Sequence, residues 1–278
     1  MTVLVVGAAG QLGRAMVSRL QKAHDVTGWT RADFDLTRHA DVRDAIMRLA
    51  PDVVINCAGY NNVDQAEDDQ LIAFDLNAMV VSTLARAAAS LDALFVHYSS
   101  DFVFSGTRST PYTENDAPEP RSVYAQSKLV GEWLAADAPR HYVLRVESLF
   151  GGPNRKSSVD RIVDGIRQGQ QPPVFSDRVV SPSFVTDVAN ASAFMIESQP
   201  EWGLYHCVNS GHATWLDVGR DIAARLGAGE EALKPISVND VHLRASRPKF
   251  AALSNEKLAR AGYAMPTWQD AIGRYLAQ

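Results

Sequence analysis

Tyr124 and Lys128 stand four residues apart in Tyr124-Ala125-Gln126-Ser127-Lys128, downstream of the serine pair Ser99-Ser100. On a helix, positions i and i+4 share a face, so an ammonium there can stabilise a phenolate and let a phenol of ordinary pKa ~10 exchange protons near neutrality. A serine hydroxyl at the carboxyl end of a strand can hold a substrate carbonyl beside that pair. Tyr-x-x-x-Lys alone is a weak pattern, because a core Tyr one turn before a surface Lys is common. It gains weight from Gly7-Ala8-Ala9-Gly10-Gln11-Leu12-Gly13 near the start of the chain. Residues without side chains let backbone approach a pyrophosphate, whose charge meets free N–H groups and the positive end of a helix.

These residues need particular elements to hold them. TVLVV at 2–6 reads as a strand buried on both faces of a parallel sheet, followed by a helix from Gln11 to about Lys22. Further strands are expected near 25–30, 52–56 (DVVIN), 94–100 (LFVHYSS) and 141–146 (HYVLRV). Helices are expected over 41–49, stopped by Pro51, over 69–90, and from Val123 onward. The stretch 107–121 is rich in proline and acid and reads as a loop. The alternation predicts an α/β fold, a doubly wound parallel Rossmann sheet over residues 1–150. Prolines punctuate shorter segments after Gly151-Gly152-Pro153, so residues 151–278 are expected to form mainly a smaller substrate-binding region that closes a cleft over the sheet's carboxyl edge. Residues 174–200 of this stretch are expected to return to the sheet.

At the tip of the second strand the chain reads Gly28-Trp29-Thr30-Arg31. An acid there would accept the ribose 2′-hydroxyl of NAD; Arg31 instead offers charge-assisted donors to a 2′-phosphate, favouring NADPH with NADH left open. Arg31 also reads as a solvated loop charge, and Asp33 and Asp35 lie close enough along the chain to contact an adenosine.

With 46% apolar and 21% charged residues, 278 residues suffice for a sizeable core. Charges of 27 Lys+Arg against 32 Asp+Glu, with no basic stripe, argue against nucleic acid as a partner. Cys57 and Cys207 sit in apolar runs and read as core thiols of a reducing compartment. The apolar start breaks at Gly7 and lacks a basic flank, so neither a signal nor a membrane segment is expected there, and the cytoplasm is the expected location. The seven histidines form no metal-binding spacing, and no metal site is expected.

Taken together, GAAGQLG at 7–13, DFDLT at 33–37, PDVVINCAGYNNVDQAE at 51–67, YSSDFVFSG at 98–106, VYAQSKLVGE at 123–132, DRVVSPSFVTDVA at 177–189 and SRPKFAALSNEKL at 246–258 carry a resemblance over nearly the whole chain. The sequence resembles the extended short-chain dehydrogenase/reductases and, within them, the dTDP-4-dehydrorhamnose reductase group. The resemblance implies a catalytic set of Ser100, Tyr124 and Lys128. It implies an NAD(P)H site that includes Gly7, Gln11, Leu12, Asp35, Leu36, the Asn56 to Gly59 strand end with Ala58, and Lys128; Gly10, Gly13 and Arg31 join it from the residue reading. It implies a nucleotide-activated sugar as ligand and allows a homodimer. Hydride would pass to the ketone at sugar C4, Tyr124 would protonate the alkoxide, Lys128 would hold the nicotinamide ribose and depress the Tyr pKa, and Ser100 would orient the oxygen. Asn77 resembles the family residue that kinks the central helix.

The departures are informative. Related dehydratases carry Asp-Glu after the Ser/Thr, whereas this chain reads Ser100-Asp101-Phe102, which argues against an elimination enzyme. Ser148 stands where the group has a sugar-packing Trp, with Glu147 beside it; residues 154–159 read NRKSSV, and Ala251 replaces a usual Ser. Asp101 and Phe102 are candidates to touch the sugar, although Asp101 equally reads as the cap of a turn. Arg155, Lys156, Arg178 and above all Arg247 are candidates for a diphosphate, each also readable as a solvated charge. The alternative functions are sugar-nucleotide epimerisation and a regulatory NADP(H)-binding subunit, as in the similar beta subunit of methionine adenosyltransferase.

Overall fold

In a computed structural model that describes residues 1–278, the apolar runs of the first half form five strands. They are β1 Thr2–Val6, β2 Asp25–Trp29, β3 Val53–Asn56, β4 Leu94–Ser100 and β5 His141–Val146. Between them run α1 Gln11–Leu20, α2 His39–Leu49, α3 Gln70–Phe74, α4 Val80–Ser90 and α5 Val123–Ala135. Ala50 ends α2 in the left-handed region (φ 46) immediately before Pro51, which cannot continue the helix. Ser122 starts α5 by accepting the Ala125 N–H on its side chain.

The second half supplies β6 Leu149–Phe150, α6 Ser158–Arg167, β7 Pro173–Phe175, β8 Val179–Val180 and β9 Ser183–Phe184. It continues through α7 Val185–Ser198, β10 Gly203–His206, β11 Ala213–Thr214, α8 Trp215–Arg225, β12 Lys234–Ile236, α9 Glu256–Arg260 and α10 Trp268–Leu276. α7 packs on α1, and β10 joins the main sheet in parallel beside β5. The short pairs β6–β9, β7–β12 and β8–β11 form three two-stranded sheets outside the main one.

The main sheet is parallel throughout, in the order β10-β5-β4-β3-β1-β2. Alternation divides the continuous run of β1 between two cores. Val3 and Val5 face the layer of α1 and α7 with Met16 and Leu20, while Leu4 and Val6 face α2 and α4 with Ile46 and Leu84. Each such aliphatic side chain, fully buried, contributes about 1.5–3 kcal/mol relative to exposure. From β1 the chain runs outward to β2 and then returns to β3 on β1's other side, so a crevice opens beyond the carboxyl ends of β1 and β3.

The helix expected over 69–90 is continuous, but Asp75–Met79 forms a wide π-helical turn between α3 and α4. By length and composition Gln70–Ser90 could cross a membrane; in the fold it is a core helix, with 56% of its apolar window buried.

Candidate active site

The glycine loop lies at the crevice. Gly7 and Ala8 both donate to the Trp29 carbonyl at 2.9 Å, tying the loop to the end of β2, and Gly10 N–H returns to the Gly7 carbonyl at 2.9 Å. Gly7 takes φ +79, and a Cβ there would stand 2.7 Å from Ala58 N, so only glycine lets β1 and β3 converge at this point. Gln11 begins α1 and donates to the Gly151 carbonyl at 2.7 Å. Asn56 accepts the Ala58 N–H at 3.0 Å and meets the buried His97 Nδ1 at 3.2 Å. A cavity of about 550 Å³ is lined in part by Ala8, Ala9, Gln11, Thr30, Gly152 and Thr186. A backbone cradle without side chains at a helix N-terminus suits a dinucleotide. Arg31 is exposed just past β2, and Leu36 packs half-buried on the core. Asp35 is turned back on the Thr37 amide and hydroxyl, at 3.1 and 2.8 Å, which holds its carboxyl below the usual range.

At the end of β4, Ser100 Oγ accepts the Phe102 N–H at 3.2 Å and donates to Asp101 Oδ1 at 2.9 Å. Tyr124, in the first turn of α5, presents its ring edge-on to Phe102, with centroids 5.5 Å apart. Lys128, one turn on, is 4% exposed and donates to the Tyr98 carbonyl at 2.5 Å. Asn77 sits in the π-helical turn; its Oδ1 accepts the Tyr60 N–H at 2.8 Å, while its Nδ2 donates to the Tyr60 carbonyl at 3.1 Å and Ser127 Oγ at 2.9 Å. The side chain therefore ties the loop after β3 to the helix carrying Tyr124 and Lys128, which explains a buried Asn in a helix interior.

Burial pushes the Tyr124 phenol up to about 12, with the Ser100 hydroxyl pulling down and the Asp101 charge pushing further up. Burial brings Lys128 down to about 8 against the opposing pull of Glu132 and Cys57. Lys128 is not among the groups that set the position of the phenol here. In the protein as it stands desolvation decides the phenol's position, and the ammonium is turned to a backbone carbonyl. With its phenol raised, Tyr124 keeps its proton at neutrality, the state a general acid needs.

The sequence pattern of the RmlD substrate binding domain matches residues 1–278, the entire chain. The chain belongs to the RmlD substrate binding domain family. A dTDP-4-dehydrorhamnose reductase of Mycolicibacterium smegmatis is 33% identical over 277 residues, which span 97% of this chain and 83% of the relative. The crystal structure of a dTDP-4-dehydrorhamnose reductase from Clostridium acetobutylicum superposes with a TM-score of 0.93 at 30% identity, covering 100% of this chain and 99% of that one. A Bacillus anthracis dTDP-4-dehydrorhamnose reductase, solved in complex with NADP, has a TM-score of 0.93 at 26% identity, covering 99% and 98%.

In this member of the RmlD family, two buried carboxyl groups and two arginines gather beside Ser100 and Phe102. Asp101 is 2% exposed and Glu147 is 1% exposed. Burial lifts Asp101 to about 6 against the Arg178 charge, and burial together with the Asp101 charge holds Glu147 well above the usual carboxylate range. Glu147 accepts the Ser181 N–H, and Ser148 beside it adopts φ 43. Arg178 donates to the Pro248 carbonyl at 3.2 Å; both Arg178 and Arg247 lie against the Phe102 ring, at 5.7 and 5.8 Å from its centroid. Arg247 is already held by Asp64 at 2.8 Å and the Ala245 carbonyl at 3.0 Å. The other two candidates for a diphosphate lie elsewhere: Arg155 pairs with Asp164 and Tyr275, and Lys156 is exposed.

Sequence reasoning missed His97 behind Asn56, Asp64 behind Arg247, and Glu67, whose Oε1 accepts the first N–H of α5 at 2.9 Å. Asp64 and Glu67 fall in the 51–67 segment that carried the resemblance; His97 sits in an apolar strand and gave no signal. Cys57 and Cys207 are free thiols, both raised by burial.

Proposed function

We propose that this protein is an NADPH-dependent reductase of the C4 ketone in a nucleotide-linked 4-keto-6-deoxy sugar, of the dTDP-4-dehydrorhamnose type. The observation that carries the reading is the placement of Ser100, Tyr124 and Lys128 at the sheet's carboxyl edge, next to a glycine cradle that a Cβ would fill. The reductase activity named for the relatives, and the NADP bound in the Bacillus anthracis structure, support it. NADPH supplies the hydride when bound. Gly7, Gly10 and Gly13 give its diphosphate a backbone bed, Arg31 is positioned by sequence for the 2′-phosphate, and Asn56, Ala58 and Gly59 form the opposite wall. Ser100 holds the ketone oxygen, Tyr124 delivers its proton to that oxygen, and Lys128 holds positive charge beneath them. Two free thiols support work in the reducing cytoplasm.

The test is loss of NADPH absorbance with a panel of dTDP-, GDP- and UDP-linked 4-keto-6-deoxy sugars, for the wild type and Tyr124→Phe. Turnover on one sugar, falling roughly 10²- to 10⁴-fold in the variant with NADPH affinity retained, supports the reading. Undiminished turnover in Tyr124→Phe removes the acid. Isomerised sugar without consumption of NADPH would make the protein an epimerase, and NADPH binding with no turnover at all would make it a binding subunit.

A further inference from the structure

His97 lies in the middle of β4, fully buried, with its ring stacked on Phe95 at a centroid distance of 6.3 Å. Its neighbours decide which ring nitrogen holds the proton. The Ala58 N–H donates to Asn56 Oδ1 at 3.0 Å, so the Asn56 amide turns its NH2 the other way, where it meets His97 Nδ1 at 3.2 Å. Nδ1 therefore accepts, the imidazole is neutral, and its one proton sits on Nε2. That Nε2–H is buried without an acceptor; α5 lies over it, and a Cβ on Gly131 would stand 3.4 Å from Nε2. A buried donor without a partner is costly, and in native proteins such an atom calls for an explanation. An apolar side chain would fill this place in the strand without that cost. What a neutral histidine supplies there, and an apolar side chain does not, is the acceptor at Nδ1.

Resting on the reductase reading above, we propose that His97 is a positioning residue of the NADPH site: by accepting from Asn56 it fixes the direction of that amide and, through it, the Ala58 backbone against the glycine loop. Asn56 is 1% exposed, so its NH2 has no water to turn to. Without the acceptor at His97 Nδ1 that NH2 is left unpaired unless the side chain rotates, and rotation lets go of the Ala58 N–H. The consequence falls at Gly7. Ala58 N lies 2.7 Å from the place of a Gly7 Cβ, so the two walls of the cradle meet at this residue, and a shift of Ala58 alters the bed offered to the dinucleotide. His97 acts on the cofactor through Asn56 and Ala58, without touching it.

The experiment measures the NADPH dissociation constant by fluorescence, and KM against kcat, for the wild type, His97→Leu and His97→Asn, and repeats His97→Leu in an Asn56→Ala background. Leucine and asparagine have nearly the same shape, but only asparagine carries an acceptor at the place of Nδ1. His97→Leu is expected to weaken NADPH binding roughly five- to tenfold, the worth of one neutral hydrogen bond, with KM for NADPH rising alike and kcat at saturation kept. His97→Asn stays within about twofold of the wild type, and His97→Leu adds no further loss once Asn56 is alanine. Undiminished binding in His97→Leu, an equal loss in His97→Asn, or the same loss again in the Asn56→Ala background overturns the assignment. So does a nitrogen NMR spectrum of the wild type that puts a proton on Nδ1. If His97→Leu does not fold, His97→Gln takes its place, because its amide reaches the place of Nε2 and leaves that of Nδ1 without an acceptor. Failure of the reductase reading looks different: a wild type that binds NADPH but reduces no sugar overturns that reading and leaves the binding comparison to decide, while one that does not bind NADPH overturns both.

Discussion

Raising the pH from 7 to 9 should cut kcat/KM for NADPH about tenfold, because Lys128 loses its charge in that interval. Burial lowers this lysine from its ordinary value to about 8, so the ammonium is present below that pH and lost above it. With a pKa of about 8, about nine-tenths of the lysines are charged at pH 7 and about one-tenth at pH 9, and that ratio sets the size of the fall. Because kcat/KM reports groups of the free enzyme, the value for the protein alone applies. Tyr124 at about 12 stays protonated throughout, so the descending limb belongs to Lys128. The assay is initial velocity by NADPH absorbance at fixed ionic strength, for the wild type and Lys128→Met. A profile flat through pH 9.5, or the same limb in the residual activity of Lys128→Met, would refute the assignment.

Two further perturbations probe the scaffold. Gly7→Ala places a Cβ 2.7 Å from Ala58 N on a residue at φ +79, and the left-handed conformation alone costs about 1–2 kcal/mol; NADPH affinity should drop and Tm fall by at least about 2–4 °C, and calorimetry showing neither would mean the loop has slack. Glu132→Ala leaves the fully buried Arg145 guanidinium without its bidentate partner, now at 2.8 and 2.7 Å; urea unfolding should show a loss of about 3–5 kcal/mol, and a loss below about 1 kcal/mol would mean that the stack on Phe104 and the contact with His206 suffice to hold the charge.

Much of the site is local chemistry and could be read directly. Gly7 to Gly13 follow a strand because β1 is apolar on both faces, and Tyr124 and Lys128 share a side because the helical period puts them there. Asn77 announced itself as a polar residue in a helix interior, but its part in a π-helical turn depends on Tyr60 and Ser127, 17 and 50 residues away. The edge strand Gly203–His206 is short and half-buried at its start, with too weak a pattern to stand out before its pairing with β5 is known.

The sequence by itself determined the parallel α/β sheet and the glycine loop after β1, because these rest on backbone periodicity and on residues close together in the chain, and it brought out the candidate set of Ser100, Tyr124 and Lys128 from helix spacing and the family resemblance. Tertiary structure alone decided the ionisation of that set and the company kept by the basic residues. The Tyr124 and Lys128 pKa values follow from desolvation, which depends on everything packed around a group and not on its neighbour one turn away. Arg178 and Arg247 meet at Phe102, and the Asp101 charge reaches Glu147, only because the segments after β4, β5, β7 and β12 come together; no spacing along the chain encodes that meeting.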